Sequence, residues 1–329
     1  MKLMRYSRKG EKSSRARLGV LVGKDLVADL RAAYARYLIE EIGNSKGREL
    51  AGIFLPPYIA QFLHVGTVAT EALSETYGWL SDLVKAEPQG LGLNGEELFV
   101  PLAECRLYAP VRGSKIISVT RNYPRTGRGE EKPNGKVPTG FLKVPSCVTG
   151  PGRDILKPSV TRQLGCGAEL AVVIGKRCKY VPEDRAYDVI AGYTILNGIT
   201  ARDIENIERQ AGRAMLSRTF DTFAPIGPWL ATKVEIPDPM NLRIRTRVNG
   251  EVVQDGNTSE MFHDIPKLVS YMSQMTLMPG DIISTGAPAS IHARPDWSLN
   301  SGDVIEAEIE KIGTLLNAVV DEPGVTSRP

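Results

Sequence analysis

Four short stretches of this chain combine charge with tight backbone: TRNYPRTGRGE at 120–130, GFLK at 140–143, GCGAELAVVIGK at 165–176 and LNGITARDIE at 196–205. Glu169 stands beside the apolar run LAVVIG. An acid there must be paired, exposed at a strand end, or bound to something positive. A water-facing position on an edge strand satisfies the same pattern. Lys143, after Phe141-Leu142, and Lys176 are compatible with ordinary strand-terminal charges. In LNGITARDIE the guanidinium of Arg202 sits at the mouth of a strand-to-helix turn, and its planar five-donor fork suits carboxylates and other anions. The stretch also reads as a plain helix start, with Thr200 as N-cap and Asp203 reaching back as a shortened capping-box acid.

The histidines and cysteines narrow the chemistry. His64 lies in a helical apolar stretch and reads as packing, His292 lies in a polar loop, and His263 follows a helix-start turn. None has a partner at nucleophile or metal spacing, so Ser/His/Asp and Cys/His catalysis find no support. Cys105, Cys147, Cys166 and Cys178 show no paired metal spacing and read as the reduced thiols of a cytoplasmic protein.

The elements that must hold these residues change character once along the chain. RLGVLVG and DLVADL form a hairpin around Lys24-Asp25, and RAAYARYLIEEIG, PPYIAQFLHVG and TVATEALSETYGWLSDLVKA carry helical spacing. After the Gly-rich link EPQGLGLNGEE the chain becomes strand-rich: GAELAVVIGK, a short buried strand at Tyr193–Leu196 turned by Asn197-Gly198, LRIRTRV turning at Asn249-Gly250 into EVVQ, MPGDIISTG and DVIEAEIE. This places an N-terminal α+β domain over 1–110 and a second domain over 111–329. The 329 residues, 42% hydrophobic and 24% charged, suit two soluble globular domains. A net charge of +3 is too mild to argue for nucleic acid, and the basic run Arg5 to Arg17 reads as a solvated loop between two strands. No apolar leader and no run of eighteen apolar residues appears, which argues against secretion and membrane spanning.

From about Ile116 to Glu310 the ordered pieces RNY, FLK, AELAVVIGK, AGYTILNGITARD, FDTFAPIGPW, VNG and LMPGDIISTGAP resemble the fumarylacetoacetate hydrolase family. The resemblance implies an α+β fold built on a layered mixed β-structure, a roll or sandwich, with a smaller N-terminal domain and frequent homodimers. It also implies a divalent ion, usually magnesium, held by three carboxylates, which binds a 2-oxo or 1,3-dicarbonyl substrate and stabilises its enolate.

Carried over residue by residue, the family's acid pair falls on Gly167 and Glu169, and the acid of its TARD segment falls on Gly198. Glu169 is then the one retained metal ligand, so magnesium affinity is expected to be weak or lost, and two glycines facing one cavity predict extra room for substrate. The family's catalytic histidine falls near Thr126, its partner acid near Gly129 with Glu130 and Glu131 close by, and a family lysine falls on Arg218. The resemblance assigns catalytic roles to Lys143, Glu169, Arg202 and Asp203, and substrate contacts to Tyr123, Arg218 and Thr285; Thr200 is also retained. Three functions follow. One is a family enzyme acting through an enolate by C–C hydrolysis, hydration, isomerisation or decarboxylation. Another is a metal-independent relative catalysing a rearrangement or cyclisation, with Lys143, Arg202 and Arg218 stabilising an anion. The last is a binding protein that has lost the chemistry. In each case the partner is a small anionic carbonyl compound.

Overall fold

A computed structural model of the chain describes residues 1–124, 137–212, 215–289 and 297–324. Strands β1 (Lys2–Arg8), β2 (Arg17–Val22) and β3 (Leu26–Asp29) open it, with β2 and β3 paired as the hairpin expected around Lys24-Asp25. Helices α1 (Leu30–Glu40), α2 (Gly47–Phe54), α3 (Ile59–Val65) and α4 (Thr67–Ala86) follow, then β4 (Phe99–Pro101) and β5 (Cys105–Tyr108). Helix α2 escaped the sequence reading. Its eight residues begin and centre on glycine, which costs about 1 kcal/mol each against alanine and masks a short amphipathic signal. The basic run is corrected as well: Arg5 to Arg8 belong to β1, where Tyr6 and Ser7 are buried.

The second half contributes β6 (Ile116–Thr120), β7 (Thr139–Lys143), β8 (Val148–Thr149), β9 (Ile155–Lys157), β10 (Leu164–Gly165), β11 (Ala168–Ile174), β12 (Ile190–Asn197) and β13 (Thr200–Ala201). Helix α5 (Arg202–Gln210), β14 (Ala224–Thr232), β15 (Arg243–Val248), β16 (Glu251–Asn257), α6 (Ile265–Met272), β17 (Ile282–Ser284), β18 (Val304–Ile309) and β19 (Gly313–Asp321) complete it. A 12-stranded sheet runs β4-β3-β2-β1-β14-β12-β11-β17-β6-β7, with β5 on β1 and β8 on β14; a 5-stranded sheet runs β16-β15-β18-β19-β9. Antiparallel pairs dominate, but β17 runs parallel to β6. Strand alternation splits the core into layers. Leu170, Val172 and Ile195 on one face of the large sheet pack against Ile244, Ala307 and Ile309 of the smaller one. Ala171, Val173 and Leu196 on the other face join Leu30, Phe62 and Leu73 from the helical layer.

Two ties fix the strand ends that matter below. Lys115 donates to the fully buried Asp281 at 2.5 Å, joining the starts of β6 and β17. Asn122, just past β6, donates to the carbonyls of His263 and Thr285 and accepts from the His263 amide, so its side chain fastens three segments together.

Candidate active-site cleft

Glu169 does not sit at an exposed edge. Strand β11 lies between β12 and β17, and the Glu169 side chain is buried on the same face as Ala171 and Val173. An apolar run flanked by strands on both sides offers a carboxyl little water, and burial pushes Glu169 above the ordinary carboxylate range; the Ser284 hydrogen bond and the charges of Lys143 and Arg218 pull against that shift. The Ser284 hydroxyl donates to Oε2. Oε1 points to Gly198, whose Cβ, were there one, would overlap it.

This contact overturns the expectation of extra room at 198: the Glu169 carboxylate itself fills the space. The two glycine positions are joined through the main chain, the Gly198 amide donating to the Gly167 carbonyl at 2.8 Å. A side chain at 167 would start 3.2 Å from Cβ of Ala287 and 3.6 Å from Nε2 of Gln254. Among the described residues no cluster of three or more His, Cys, Asp or Glu side chains stands where a metal could be held. Glu169, with one oxygen given to Ser284, does not fit a three-carboxylate magnesium centre, since magnesium gives up its waters reluctantly and needs charge in return.

The cleft over Glu169 measures about 390 Å³, and arginine dominates its wall: Arg121, Arg209 and Arg218 face it with Glu205. Arg218, in the short turn Leu216–Arg218, donates to Glu205 at 2.6 Å, and Arg209 reaches the same carboxylate at 3.3 Å. The Arg218 guanidinium lies 4.9 Å from the ring centroid of Phe141, which restricts its plane. Arg121 adopts φ 53°, a left-handed conformation costly for a residue with a Cβ, held by the anchoring of the neighbouring Asn122. Lys143 is buried beneath, donating to the carbonyls of Arg218 and Phe223. Burial lowers its ammonium to about 8. It is therefore no strand-terminal surface charge; it holds the main chain that carries Arg218.

The remaining assigned residues separate. Tyr123 and Thr285 are buried, with the tyrosine hydroxyl 3.4 Å from the threonine hydroxyl, behind the cleft rather than on its wall. Arg202 packs over Trp297 at 5.4 Å and against Gly165, and does not line the cleft. The helix start is also corrected: Ala201 occupies the N-cap of α5 without a side-chain cap, because Thr200 is tied into β13 against β10. Asp203 instead accepts from Thr161 Oγ1 at 2.5 Å and the Arg162 amide at 2.8 Å, bracing a neighbouring loop. His64 is exposed, with Nδ1 2.7 Å from the Ala60 carbonyl of its own helix, contrary to the packing expectation. All four cysteines are free thiols. Thr126, Gly129, Glu130, Glu131 and His292 lie outside the described residues. Sequence reasoning missed Arg121, Glu205, Arg209 and Ser284; the i,i+4 pair Glu205/Arg209 was visible as one face of a helix.

Residues 115–320 match the family described as Fumarylacetoacetate (FAA) hydrolase C-terminal. The mitochondrial oxaloacetate tautomerase FAHD2A of Bos taurus is 40% identical over 225 residues, which is 67% of this chain and 71% of that protein. The 2-hydroxyhepta-2,4-diene-1,7-dioate isomerase of Mycobacterium marinum is 39% identical with a TM-score of 0.60, over 69% of this chain and 82% of its own. Maleylpyruvate hydrolase of Sphingobium sp. SYK-6, solved with manganese (II) and pyruvate, covers 98% of this chain and all of its own, at 26% identity and a TM-score of 0.69. No helix among the described residues is long and apolar enough to cross a membrane.

Proposed function

The chain belongs to the fumarylacetoacetate hydrolase family, and from that premise we propose that it is an enzyme moving a proton α to the carbonyl of a small 2-oxo or β-dicarbonyl carboxylate. The observation that carries the reading is the placement of one buried carboxyl, Glu169, at the floor of a cleft walled by Arg121, Arg209 and Arg218. Arginine forks bind the substrate carboxylate, and their charge stabilises the enolate that forms when the α-proton leaves. Glu169 takes and returns that proton, with the Ser284 hydroxyl orienting its Oε2. Lys143 fixes the backbone of Arg218 and Phe223, so the guanidinium is in place before substrate arrives. The donor set around Glu169 does not fit a metal centre, so the guanidinium groups meet the enolate charge.

Tautomerase and isomerase relatives favour proton transfer over C–C hydrolysis, which needs in addition a base to activate water. Incubating chelator-treated protein with a 2-oxo acid in deuterated water tests the reading. Exchange of the α-protons followed by NMR is expected for the wild type and is expected to fall by about a hundredfold or more in Glu169→Gln. Exchange that appears only with added magnesium or manganese, or that persists in Glu169→Gln, would overturn it.

A further inference from the structure

A second cleft, of about 610 Å³, lies in the N-terminal region between the start of β2, the first turn of α1 and helix α2. Arg15, Arg17, Arg31 and Arg48 converge on it, two of them from the basic run singled out in the sequence. Its volume falls within the range of about 300–1,000 Å³ usual for small-molecule sites, and the half-buried Ala32, Pro57 and Leu93 give it apolar ground. It shares no lining residue with the Glu169 cleft.

The charges in this space do not balance. Arg17 is committed, bonding both oxygens of Glu11 at 3.1 and 2.9 Å with Asp29 at 3.5 Å. Asp29 is itself engaged as the N-cap of α1, accepting from the Ala32 amide at 3.0 Å. The other acid facing the cleft, Glu96, accepts from the Asn94 amide at 2.8 Å. Among the described residues Arg48 hydrogen-bonds the neutral amide of Asn94, at 3.1 Å, and no carboxylate. The guanidinium groups of Arg15 and Arg31 make no hydrogen bond or ion pair with a described residue. Elsewhere the same molecule solves this problem internally: Arg243, Arg245 and Arg247 on β15 each lie within 3.9 Å of Asp255, Glu306 or Glu308. Four guanidinium groups brought together from separate elements, three of them in no ion pair among the described residues, form a positive concavity suited to multidentate oxyanion binding.

We propose that this cleft is a second ligand site, which takes a small molecule carrying closely spaced anionic oxygens, a phosphate ester or a polycarboxylate, with its apolar part against Ala32, Pro57 and Leu93. Calorimetric titration of the full chain at constant ionic strength tests it, with pyrophosphate and citrate as probes. At least one probe is expected to bind, and Arg15→Gln/Arg31→Gln is expected to weaken it by about tenfold or more. Because neither guanidinium hydrogen-bonds or ion-pairs with a described residue, and Arg31 only packs on Gly52 while the Arg15 charge acts on Glu11 without contact, the unliganded double variant is expected to melt close to wild type. Arg243→Gln, in the paired ladder, and Arg218→Gln, in the Glu169 cleft, are expected to leave this binding unchanged. Preference for pyrophosphate assigns the phosphate ester, and preference for citrate the polycarboxylate. Failure of both probes to bind, unchanged affinity in the double variant, or loss of binding in Arg218→Gln would overturn the proposal.

Discussion

Gly198 and Glu169 occupy complementary space: the carboxylate Oε1 lies where a side chain at 198 would begin. Gly198→Ala is therefore expected to push the Glu169 carboxyl off Ser284. Overpacking of this kind costs about 1–3 kcal/mol, measurable by urea denaturation, and turnover is expected to fall with it. An alanine variant as stable and active as wild type would mean that Glu169 has another place to go.

Gly167→Glu with Gly198→Asp is expected to crowd three carboxyls around one point. Like charges so placed repel, so the unliganded variant is expected to melt below wild type and to recover on addition of magnesium. Thermal scans with magnesium and with chelator decide this. No response to magnesium would show that positions 167, 169 and 198 do not face a common centre.

For Lys143 the pH dependence has a definite direction. Burial holds its ammonium at about 8 against an ordinary 10.5, so folding disfavours the proton. The corresponding stability is present above about 10.5 and is lost as the pH falls toward about 8. Relative to Lys143→Met, the wild type is thus expected to gain stability across that interval. Parallel denaturation curves at several pH values measure it, and a constant difference would contradict the buried placement.

Arg218 and Arg202 are expected to part company. Arg218→Lys keeps the charge but loses the fork on Glu205 and the stacking on Phe141, and substrate affinity is expected to weaken about tenfold. Arg202→Ala removes packing against Trp297 outside the cleft. Its expected effect is on stability, with kcat within a few-fold of wild type. Equal loss of kcat in both variants would place Arg202 in the site after all.

Much of the fold was legible because strand alternation and turn residues are local signals. The Lys24-Asp25 and Asn249-Gly250 hairpins and the apolar β11 run were all readable from neighbours in sequence. What was not legible depended on what another segment supplied. Thr200 has the chemistry of a helix cap, yet β10 claims its backbone and Asp203 is drawn to the 161–162 loop. The burial of Lys143 follows from carbonyls some eighty residues away. Gly198 signalled a vacancy on paper, whereas the side chain that fills it comes from β11.

Strand β1 pairs with β14 through Lys2↔Ala231 and Leu3↔Leu230, so the N-terminal region extends the same sheet whose other end carries the cleft. Cutting the chain near residue 110 would strip the Leu230–Ala231 end of β14 of that neighbour and leave its main-chain groups unmet, while the Ala224-Pro225 end keeps β8. Such an edge templates pairing with another molecule. The fragment 111–329 expressed alone is thus a candidate for strand exchange or aggregation, and the first hundred residues act as an insulating margin for the sheet as well as a layer over its core.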